Sequence, residues 1–464
     1  MSGSVGARRL AALGVTCPEG TPAAAVARCL AIQSQDPEAA LWAIGLRCGA
    51  DRASVVSAFA ERSLVRTWPM RGTLHTLCAD DARWVVELLA MRAFAAAAGR
   101  RRELGLDDET LARCRAKIEE RLAGGVAAGR DDLYAEIASL GIPPGEQRGY
   151  HVLVALCQQG VLCAVDAARV SSFALLDQWL PNAPRKPRDE SLALLARRYF
   201  AGHGPATEQD LAWWSGLGLR EVRAALALAG DLTREERGSS TLYSWGEVPP
   251  GGVEPSVHLL PAFDELLLGY RDRGAVLDPA HASRVCPGGN GVFRPILVVG
   301  GRVAATWRSE ARAGGRVFTF EPFAGSVPPR LAHAAAERFA AFLGETCAAL
   351  PAPPWFFDGD EQQNPRTTFP CLSCGEPVPL EVHSFLRHAR TQRDITTEEL
   401  VTFDLSRGTV GSGSAQMTVT STSIGLTPYL GPWPCPSCDR THTVALAYGE
   451  WQPGRTVAAL WGVG

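Results

Sequence analysis

The beginning of the chain alternates short amphipathic segments with residues that cap helices. Thr21 can cap one helix, Asp36 followed by Pro37 is typical of the start of a second, and Asp51 can begin a third. The segment LVRTWPMRGTLHTL then alternates around a turn at residues 69–72, which predicts a β-hairpin. Short helices followed by a hairpin are typical of a winged helix.

The same order of elements recurs twice further along the chain. DDLYAEIASLGI and GYHVLVALCQQG are predicted helices, and the apolar run VLCAV is a predicted strand. In the third occurrence Thr207 and Asp210 form a capping box, Gly216 and Gly218 supply the turn, and REVRAALALAG is the next helix. DLTREERGSSTLYSW is then the predicted hairpin. We therefore predict three tandem winged-helix units whose sequences are hardly alike.

From residue 256 the apolar runs become short and rich in turns, which predicts mostly strands. SVHLLPAFDELLLGY, VFRPILVVGGRVAATW and RVFTFEPF are runs of this kind. PPRLAHAAAERFAAFLGE is a predicted helix that opens with proline, so a mixed domain should close near residue 345. PAPPWFFDGDEQQNP is a predicted linker to a last segment of short strands and loops.

Four of the 13 cysteines stand in two C-x-x-C pairs, Cys371 with Cys374 and Cys435 with Cys438. Two such pairs can complete a tetrahedral shell of four thiolates around Zn²⁺. The alternative is a redox disulfide pair, but neither pair lies in a thioredoxin-like βαβ pattern. The sequence therefore predicts a structural zinc site in a zinc-ribbon-like module. Most of the nine single cysteines are predicted to be small core residues of a reduced protein.

These patterns together predict an α+β protein with tandem winged-helix units, a β-rich C-terminal domain and a small zinc-ribbon-like module. A chain of 464 residues is too long for a single compact core. The predicted boundaries are 1–95 for the first winged helix, 96–182 for the second, 189–250 for the third, 251–348 for the β-rich domain and 366–464 for the zinc module.

Composition narrows the class of protein. With 46% apolar and 20% charged residues the chain is globular and not disordered. No apolar run is long enough for a signal peptide or a membrane span, so we expect a cytoplasmic protein without a membrane partner. The net charge is −3, but all except two of the 46 basic residues are arginines. Arginine suits phosphate and base-edge contacts, although GC-rich coding would produce the same excess.

Five stretches, taken in order, resemble the winged-helix DNA-binding family that includes the AlkZ and YcaQ DNA glycosylases. They are LAIQSQDP, LVRTWPMRGTLHTL, GHGPATEQDLAWWSGL, LLPAFDELLLGYRDR and NGVFRPILVVGGRV. The resemblance covers about residues 8–345 and leaves out the zinc module. It implies hydrolysis of the N-glycosidic bond of N7-alkylated purines, including those in DNA interstrand crosslinks, with alkylated or crosslinked double-stranded DNA as partner.

The family signature is Gln, any residue, then Gln or Asp, so the resemblance implies that Gln33 and Gln35 are catalytic. Side chains at i and i+2 point to one side of an extended segment, and Pro37 disfavours helix at Asp36. Both amides could therefore converge, hold a water against C1′ and stabilise the sugar cation. An N7-alkylguanine already carries positive charge, so no strong acid and no cofactor are needed for catalysis. Alternatively, the two glutamines only cap or bridge helices of a DNA-binding protein without catalysis.

The first predicted hairpin carries polar residues that could contact DNA. Arg66, Arg71, Thr73 and His75 could follow the backbone or enter a groove, or they could simply be solvated while the apolar residues pack. His75 is also the next candidate for proton exchange near neutral pH.

The two lysines indicate the type of glycosylase, and the number of predicted units indicates how the protein binds DNA. Lys117 lies in a charged helix and Lys186 in a linker, so neither is expected to form a Schiff base, and a monofunctional glycosylase is favoured. A Schiff base through an N-terminal amine is the alternative. The alternatives are a non-catalytic regulator of transcription, which would typically bind half-sites as a dimer, and a protein-interaction scaffold. Three units in one chain favour a monomer that wraps a duplex.

Overall fold

The computed structural model describes residues 4–18, 20–238, 240–246, 256–289, 291–312, 315–323, 329–347, 355–358, 366–371, 374, 376–391, 427–452 and 455–463. The chain divides into two compact units, one of residues 1–327 with 334–347 and the other of residues 328–333 with 348–464. The finer domain boundaries stay predictions. No helix in these ranges is long and apolar enough to cross a membrane.

Helices dominate the first unit and begin where the sequence supplies capping residues. Thr21, Asp36 and Asp51 each accept a hydrogen bond from a backbone N–H three residues on, at 2.8–3.1 Å. Their bounds are α1 (Val5–Ala12), α2 (Pro22–Cys29), α3 (Pro37–Cys48), α4 (Arg52–Ala60), α5 (Ala79–Ala96), α6 (Ala98–Glu103), α7 (Asp108–Arg121), α8 (Arg130–Ser139), α9 (Arg148–Gln158), α10 (Leu176–Trp179), α11 (Arg188–His203), α12 (Glu208–Ser215), α13 (Leu219–Ala229), α14 (Glu265–Leu268), α15 (Ala282–Val285) and α16 (Pro329–Phe342).

The strands of the first two predicted units form one antiparallel sheet instead of separate hairpins. They are β1 (Ile32–Gln33), β2 (Leu64–Met70), β3 (Thr73–Cys78), β4 (Ala127–Gly129), β5 (Leu162–Ala164) and β6 (Ser172–Leu175), in the order β1-β3-β2-β5-β6-β4. Every residue of β2 is buried, since β3 covers one edge and β5 pairs with the other. The first hairpin is therefore the centre of a sheet, and its side chains pack into the core.

The turn of this hairpin lies slightly later than the sequence indicated. Arg71 and Gly72 have φ values of 53° and 71°, so they are the two left-handed residues of a tight turn. Pro69 lies inside β2, where the pairing with β3 shifts register. Proline has no N–H for the ladder, and a register shift is one of the places in a sheet where that loss is tolerated.

The third predicted unit has the expected order of elements. After α11, the capping box of Thr207 and Asp210 opens α12, and Gly216 ends it with a φ of 76°. The exposed strand β7 (Thr233–Arg237) then pairs with β8 (Ser240–Ser244) in a two-stranded sheet. The structure thus contains a helix–turn–helix followed by a hairpin.

A four-stranded antiparallel sheet forms the end of the first unit. Its strands are β9 (Val257–Leu260), β10 (Ile296–Val299), β11 (Arg302–Arg312) and β12 (Gly315–Pro322), in the order β12-β11-β10-β9. The segment after β9 is not a strand, because Asp264 caps α14 through the Leu266 N–H at 2.9 Å. Asp264 also receives two hydrogen bonds of 2.9 Å from Arg47. This buried ion pair joins α3 to α14.

Most of the single cysteines pack in the interior of the first unit, as predicted. Cys29, Cys48, Cys78, Cys114, Cys157 and Cys163 are buried. Cys286 and Cys347 are half-buried, and Cys17 is exposed.

The second unit consists mainly of strands. They are β13 (Trp355–Asp358), β14 (Arg366–Pro370), β15 (Pro377–Glu381), β16 (Arg390–Thr391), β17 (Thr427–Pro434), β18 (Thr441–Gln452) and β19 (Arg455–Val463), and the short helix is α17 (Val382–Leu386). β13-β19-β18-β17-β16 form one sheet and β14-β15 another. The two C-x-x-C pairs lie in the connections β14–β15 and β17–β18, so each pair is at the end of a hairpin.

Candidate functional site

The two glutamines of the motif converge in an extended break between helices α2 and α3. Gln33 lies in β1 opposite His75 of β3, and the Ser34 N–H donates to the Leu74 carbonyl at 2.8 Å. Gln33 Nε2 donates to Gln35 Oε1 at 3.0 Å. The convergence predicted from the i, i+2 spacing is therefore confirmed. Gln33 is 7% exposed, whereas Gln35 lies at the surface. The Gln33 side chain is therefore fixed by its buried surroundings, and the Gln35 side chain is accessible to solvent.

The hydrogen bond between the amides leaves part of their capacity for another molecule. It uses one N–H of Gln33 and one lone pair of Gln35. Each side-chain amide has two N–H donors and a carbonyl with two lone pairs. The pair can therefore still accept a hydrogen bond from a water and donate one to an electron-rich atom.

A buried hydrogen-bond chain fixes the middle residue of the motif. Ser34 Oγ donates to the Ile32 carbonyl at 2.9 Å and lies 2.7 Å from Thr76 Oγ1, so the Thr76 hydroxyl is the donor in that contact. Arg66 Nε donates in turn to Thr76 Oγ1 at 3.4 Å, and Arg66 Nη1 donates to the Asp166 carbonyl at 2.9 Å. The chain joins the motif strand to the loop between β5 and β6.

We expect loss of the Thr76 hydroxyl to destabilise this arrangement. Thr76→Val keeps the shape of the side chain but leaves Arg66 Nε without its acceptor in a buried position. The free energy of unfolding should fall by about 1–3 kcal/mol, as measured by urea denaturation. Thr76→Ser keeps the hydroxyl and is the matched control. Equal unfolding free energies for the valine and serine variants would contradict the importance of this chain.

The four hairpin residues predicted to contact DNA lie at different depths. Arg66 and His75 have no exposed surface, whereas Arg71 and Thr73 at the turn are half-buried. Burial lowers the pKa of Arg66 to about 10, and its guanidinium packs over the Phe59 ring. A phosphate contact by Arg66 or His75 would require the surrounding side chains to move.

His75 is a neutral side chain in this environment. Burial and the nearby Arg71 guanidinium lower the pKa of His75 to about 4. Nδ1 lies 2.9 Å from the Thr73 carbonyl and Nε2 lies 3.5 Å from Arg71 Nη2, so Nδ1 carries the proton. The expectation that His75 exchanges protons near neutral pH is therefore wrong, because the imidazole is buried beside a cation.

A buried carboxylate that the sequence analysis missed lies behind this turn. Glu265 of α14 accepts hydrogen bonds from Trp214 Nε1 at 2.9 Å and His203 Nε2 at 3.2 Å. Burial would raise the pKa of Glu265, but His203 and the positive charge of Arg71 hold it below its usual value. Burial lowers the pKa of Arg71, and the negative charge of Glu265 partly offsets this effect.

A cavity of about 290 Å³ adjoins the motif, and Gln35 forms part of its wall. Its remaining walls come from two strands of the hairpin, from β6 and the loop before it, and from α8 and α9. The residues are Trp68, Leu74, Arg130, Tyr134, Tyr150, Leu153, Val154, Val170 and Phe173. We call this the aromatic cavity. The sequence analysis did not identify it, since its walls come from segments more than 100 residues apart.

The four cysteines predicted to bind zinc come together in the second unit. All four Sγ atoms lie within 4.8 Å of one another, with Cys371 Sγ 3.6 Å from Cys438 Sγ and Cys374 Sγ 3.8 Å from Cys435 Sγ. Sulfur atoms about 2.3 Å from a tetrahedral metal ion are separated by about 3.8 Å. The cluster could therefore hold a metal ion. Buried His442, which lies four residues after Cys438 in the sequence, approaches the Cys371 Sγ with its Nε2 at 3.2 Å.

Comparison with known proteins identifies relatives of the first unit. A family model described as DNA glycosylase AlkZ-like matches residues 26–343. An interstrand DNA cross-link repair glycosylase of Streptomyces sahachiroi is 28% identical over 313 residues, which is 62% of this chain and 83% of that protein. The solved Streptomyces sahachiroi DNA glycosylase AlkZ has a TM-score of 0.64 at 25% identity, with 75% of this chain and 99% of that chain covered. The family match contains Gln33 and Gln35 and ends before the cysteine cluster.

Proposed function

Since the chain belongs to the AlkZ-like family of DNA glycosylases, we propose that it hydrolyses the N-glycosidic bond of N7-alkylated purines in duplex DNA, including purines in interstrand crosslinks. The observation that carries this proposal is the contact between the Gln33 and Gln35 amides at the surface end of the motif. The proposal that crosslinks are substrates is supported by a relative that is named a cross-link repair glycosylase.

The paired amides suit a reaction in which the leaving group needs little help. The bond between C1′ and purine N9 breaks, and its electron pair neutralises the positive charge of the alkylated purine. Gln33 and Gln35 hold a water whose oxygen forms the new bond to C1′, and the released proton passes to solvent. Amide carbonyls oriented toward C1′ also stabilise the sugar cation by electrostatic attraction. The reaction requires no metal ion or cofactor.

The lysines support a monofunctional enzyme. Lys117 pairs with Glu120 at 3.2 Å, and this hydrogen bond raises the pKa of Lys117. Lys186 pairs with Glu190 at 2.6 Å. A Schiff base needs an unprotonated amine, which requires a lowered pKa. We therefore propose that water is the nucleophile and that the DNA strand is not cut.

We propose that the chain binds DNA as a monomer through tandem winged-helix units. The helix–turn–helix and hairpin from α11 to β8 support this proposal, as does the half-buried position of Arg71 and Thr73 beside the motif. Arg66 and His75, in contrast, are proposed to support the hairpin from inside. The second unit is proposed to be a zinc-ribbon-like module in which Cys371, Cys374, Cys435 and Cys438 hold a structural zinc ion.

The affinity for duplex DNA is expected to fall steeply with salt. Each arginine–phosphate contact releases counterions, which gives a slope in log affinity against log salt of about −0.9 per contact. Fluorescence anisotropy between about 50 and 200 mM salt would measure it. Sequence preference should be weak, because a repair enzyme must bind any sequence. A defined palindromic consensus in a selection experiment would instead favour the regulator of transcription.

Base release tests the proposed function directly. Purified wild-type protein should release 7-methylguanine from methylated duplex DNA and unhook a nitrogen-mustard crosslink on a denaturing gel. A non-catalytic winged-helix regulator or a protein-interaction scaffold would bind without releasing a base. The absence of release from both substrates would contradict the proposed activity.

A further inference from the structure

We propose that the aromatic cavity receives the ring of the alkylated purine and sets the specificity of the enzyme for planar, cationic bases. This inference rests on the proposed function and deepens it, since it names the part of the substrate that the cavity binds. It starts from Gln35, which is both a member of the catalytic motif and part of the cavity wall.

The position of the cavity fits the geometry of the reaction. Purine N9 is bonded directly to C1′, so the ring must lie beside the groups that hold the attacking water. Gln35 faces the cavity. Gln33 lies on the side of β1, with its Nε2 3.0 Å from Gln35 Oε1. A purine in the cavity would thus bring C1′ to the paired amides. Extrusion of the base from the stack costs a few kcal/mol, and less for a damaged base.

The lining of the cavity matches a flat, positively charged ring. Four aromatic side chains and four aliphatic ones form most of the wall, and among the described residues no carboxylate lines it. Aromatic faces attract cations and also stack on bases of any sequence. Arg130 is exposed at the rim, where its guanidinium can contact a neighbouring phosphate while solvent screens its charge from the base.

Two features indicate that the rings are held in place for a ligand. Gly149 is buried against Tyr134, and a Cβ at this position would lie 2.5 Å from Tyr134 Cε1, so the absence of a side chain lets the ring rest on α9. Tyr150 is 45% exposed, yet its ring meets Trp68 edge-on with centroids 6.3 Å apart. A large aromatic side chain in this half-open position is available to cover a base.

Substitutions of Tyr150 separate an aromatic role from simple filling of space. Tyr150→Phe keeps the ring and should release 7-methylguanine within about twofold of the wild-type single-turnover rate. Tyr150→Leu keeps an apolar side chain without a ring. Its single-turnover rate should fall by about 5- to 100-fold, which corresponds to the free energy of one base stacking contact. Affinity for undamaged duplex DNA and the melting temperature should stay close to those of the wild type for both variants, since Tyr150 is 45% exposed and would stack only on an extruded base. Leu331→Ala, which removes a 37% exposed apolar side chain of α16 outside both the cavity and the proposed winged-helix units, is the control.

A comparison of two substrates identifies what the cavity holds. If it holds the purine, Tyr150→Leu should lower release of 7-methylguanine and of the crosslinked purine by similar factors. A loss confined to the crosslink would mean that the cavity holds the bulky substituent, and the proposal would be wrong. If the wild type is active and Tyr150→Leu releases both bases at the wild-type rate, the proposal about the cavity would also be wrong. The proposed glycosylase activity would not be contradicted by that result. An inactive wild type would overturn the proposed function itself.

Discussion

Gln33→Ala and Gln35→Ala are each expected to lower the single-turnover rate of N7-alkylpurine release by on the order of 100-fold, with little change in DNA affinity. The two amides are 3.0 Å apart and are proposed to orient one water together, so either truncation would remove a positioning hydrogen bond and free the remaining amide. Gln33 lies within the sheet opposite His75, and its removal should also leave a small space beneath Gln35.

Two further variants make this test specific. Gln35→Asp should retain part of the rate, because the related form of the motif carries aspartate at the last position. Gln159→Ala removes an exposed glutamine at the end of α9, outside the motif and the cavity wall, and it should match the wild type. Rates of both alanine variants equal to that of an active wild type would show that the motif is not catalytic. His75 would not replace it as an acid, since its pKa is about 4.

The conformation of the motif of Gln33 and Gln35 could be predicted in detail because it is decided locally. Asp36 is extended, with φ −104° and ψ 103°, and its side chain caps α3 behind Pro37. These are properties of neighbouring residues, so the break between helices and the convergence of Gln33 with Gln35 follow from a few positions in sequence. The hydrogen bond between the amides is the direct consequence.

The depth of the first hairpin could not be predicted, because it depends on a distant partner. The alternation of apolar and polar residues in LVRTWPMRGTLHTL indicates a hairpin. It does not indicate whether the outer edge of β2 pairs with another strand. That edge is covered by the pairing of Arg66 with Ala164, almost 100 residues away. Arginine and histidine are usually exposed, so Arg66 and His75 suggested DNA contacts where the structure has a buried supporting network.

The aromatic cavity is likewise a product of tertiary structure. Trp68 and Phe173 come from strands, whereas Tyr134 and Tyr150 come from separate helices. In sequence each of them is an ordinary apolar position of an amphipathic element. Only the shared sheet of the first two predicted units brings them together beside Gln35.

The cysteine cluster is expected to bind about one zinc ion per chain, and its disruption should have the largest effect on the second unit. The observed Sγ separations of 3.6 and 3.8 Å match those around a tetrahedral zinc ion. Structural zinc sites contribute about 10–16 kcal/mol of binding free energy to folding, more than a small module can replace with its own core. Cys371→Ser combined with Cys435→Ser should therefore lose the metal, as measured by elemental analysis of protein purified without added zinc.

The same variant also tests whether the zinc is structural. Four thiolates leave no open coordination position, and the family match ends at residue 343, before the first of these cysteines. Release of 7-methylguanine should therefore persist, whereas limited proteolysis should cut rapidly within residues 348–464. Cys17→Ser changes an exposed cysteine outside the cluster and should alter neither zinc content nor proteolysis. Retention of zinc in the double variant would refute the ligand assignment. Loss of base release in step with loss of zinc would mean that the second unit takes part in catalysis.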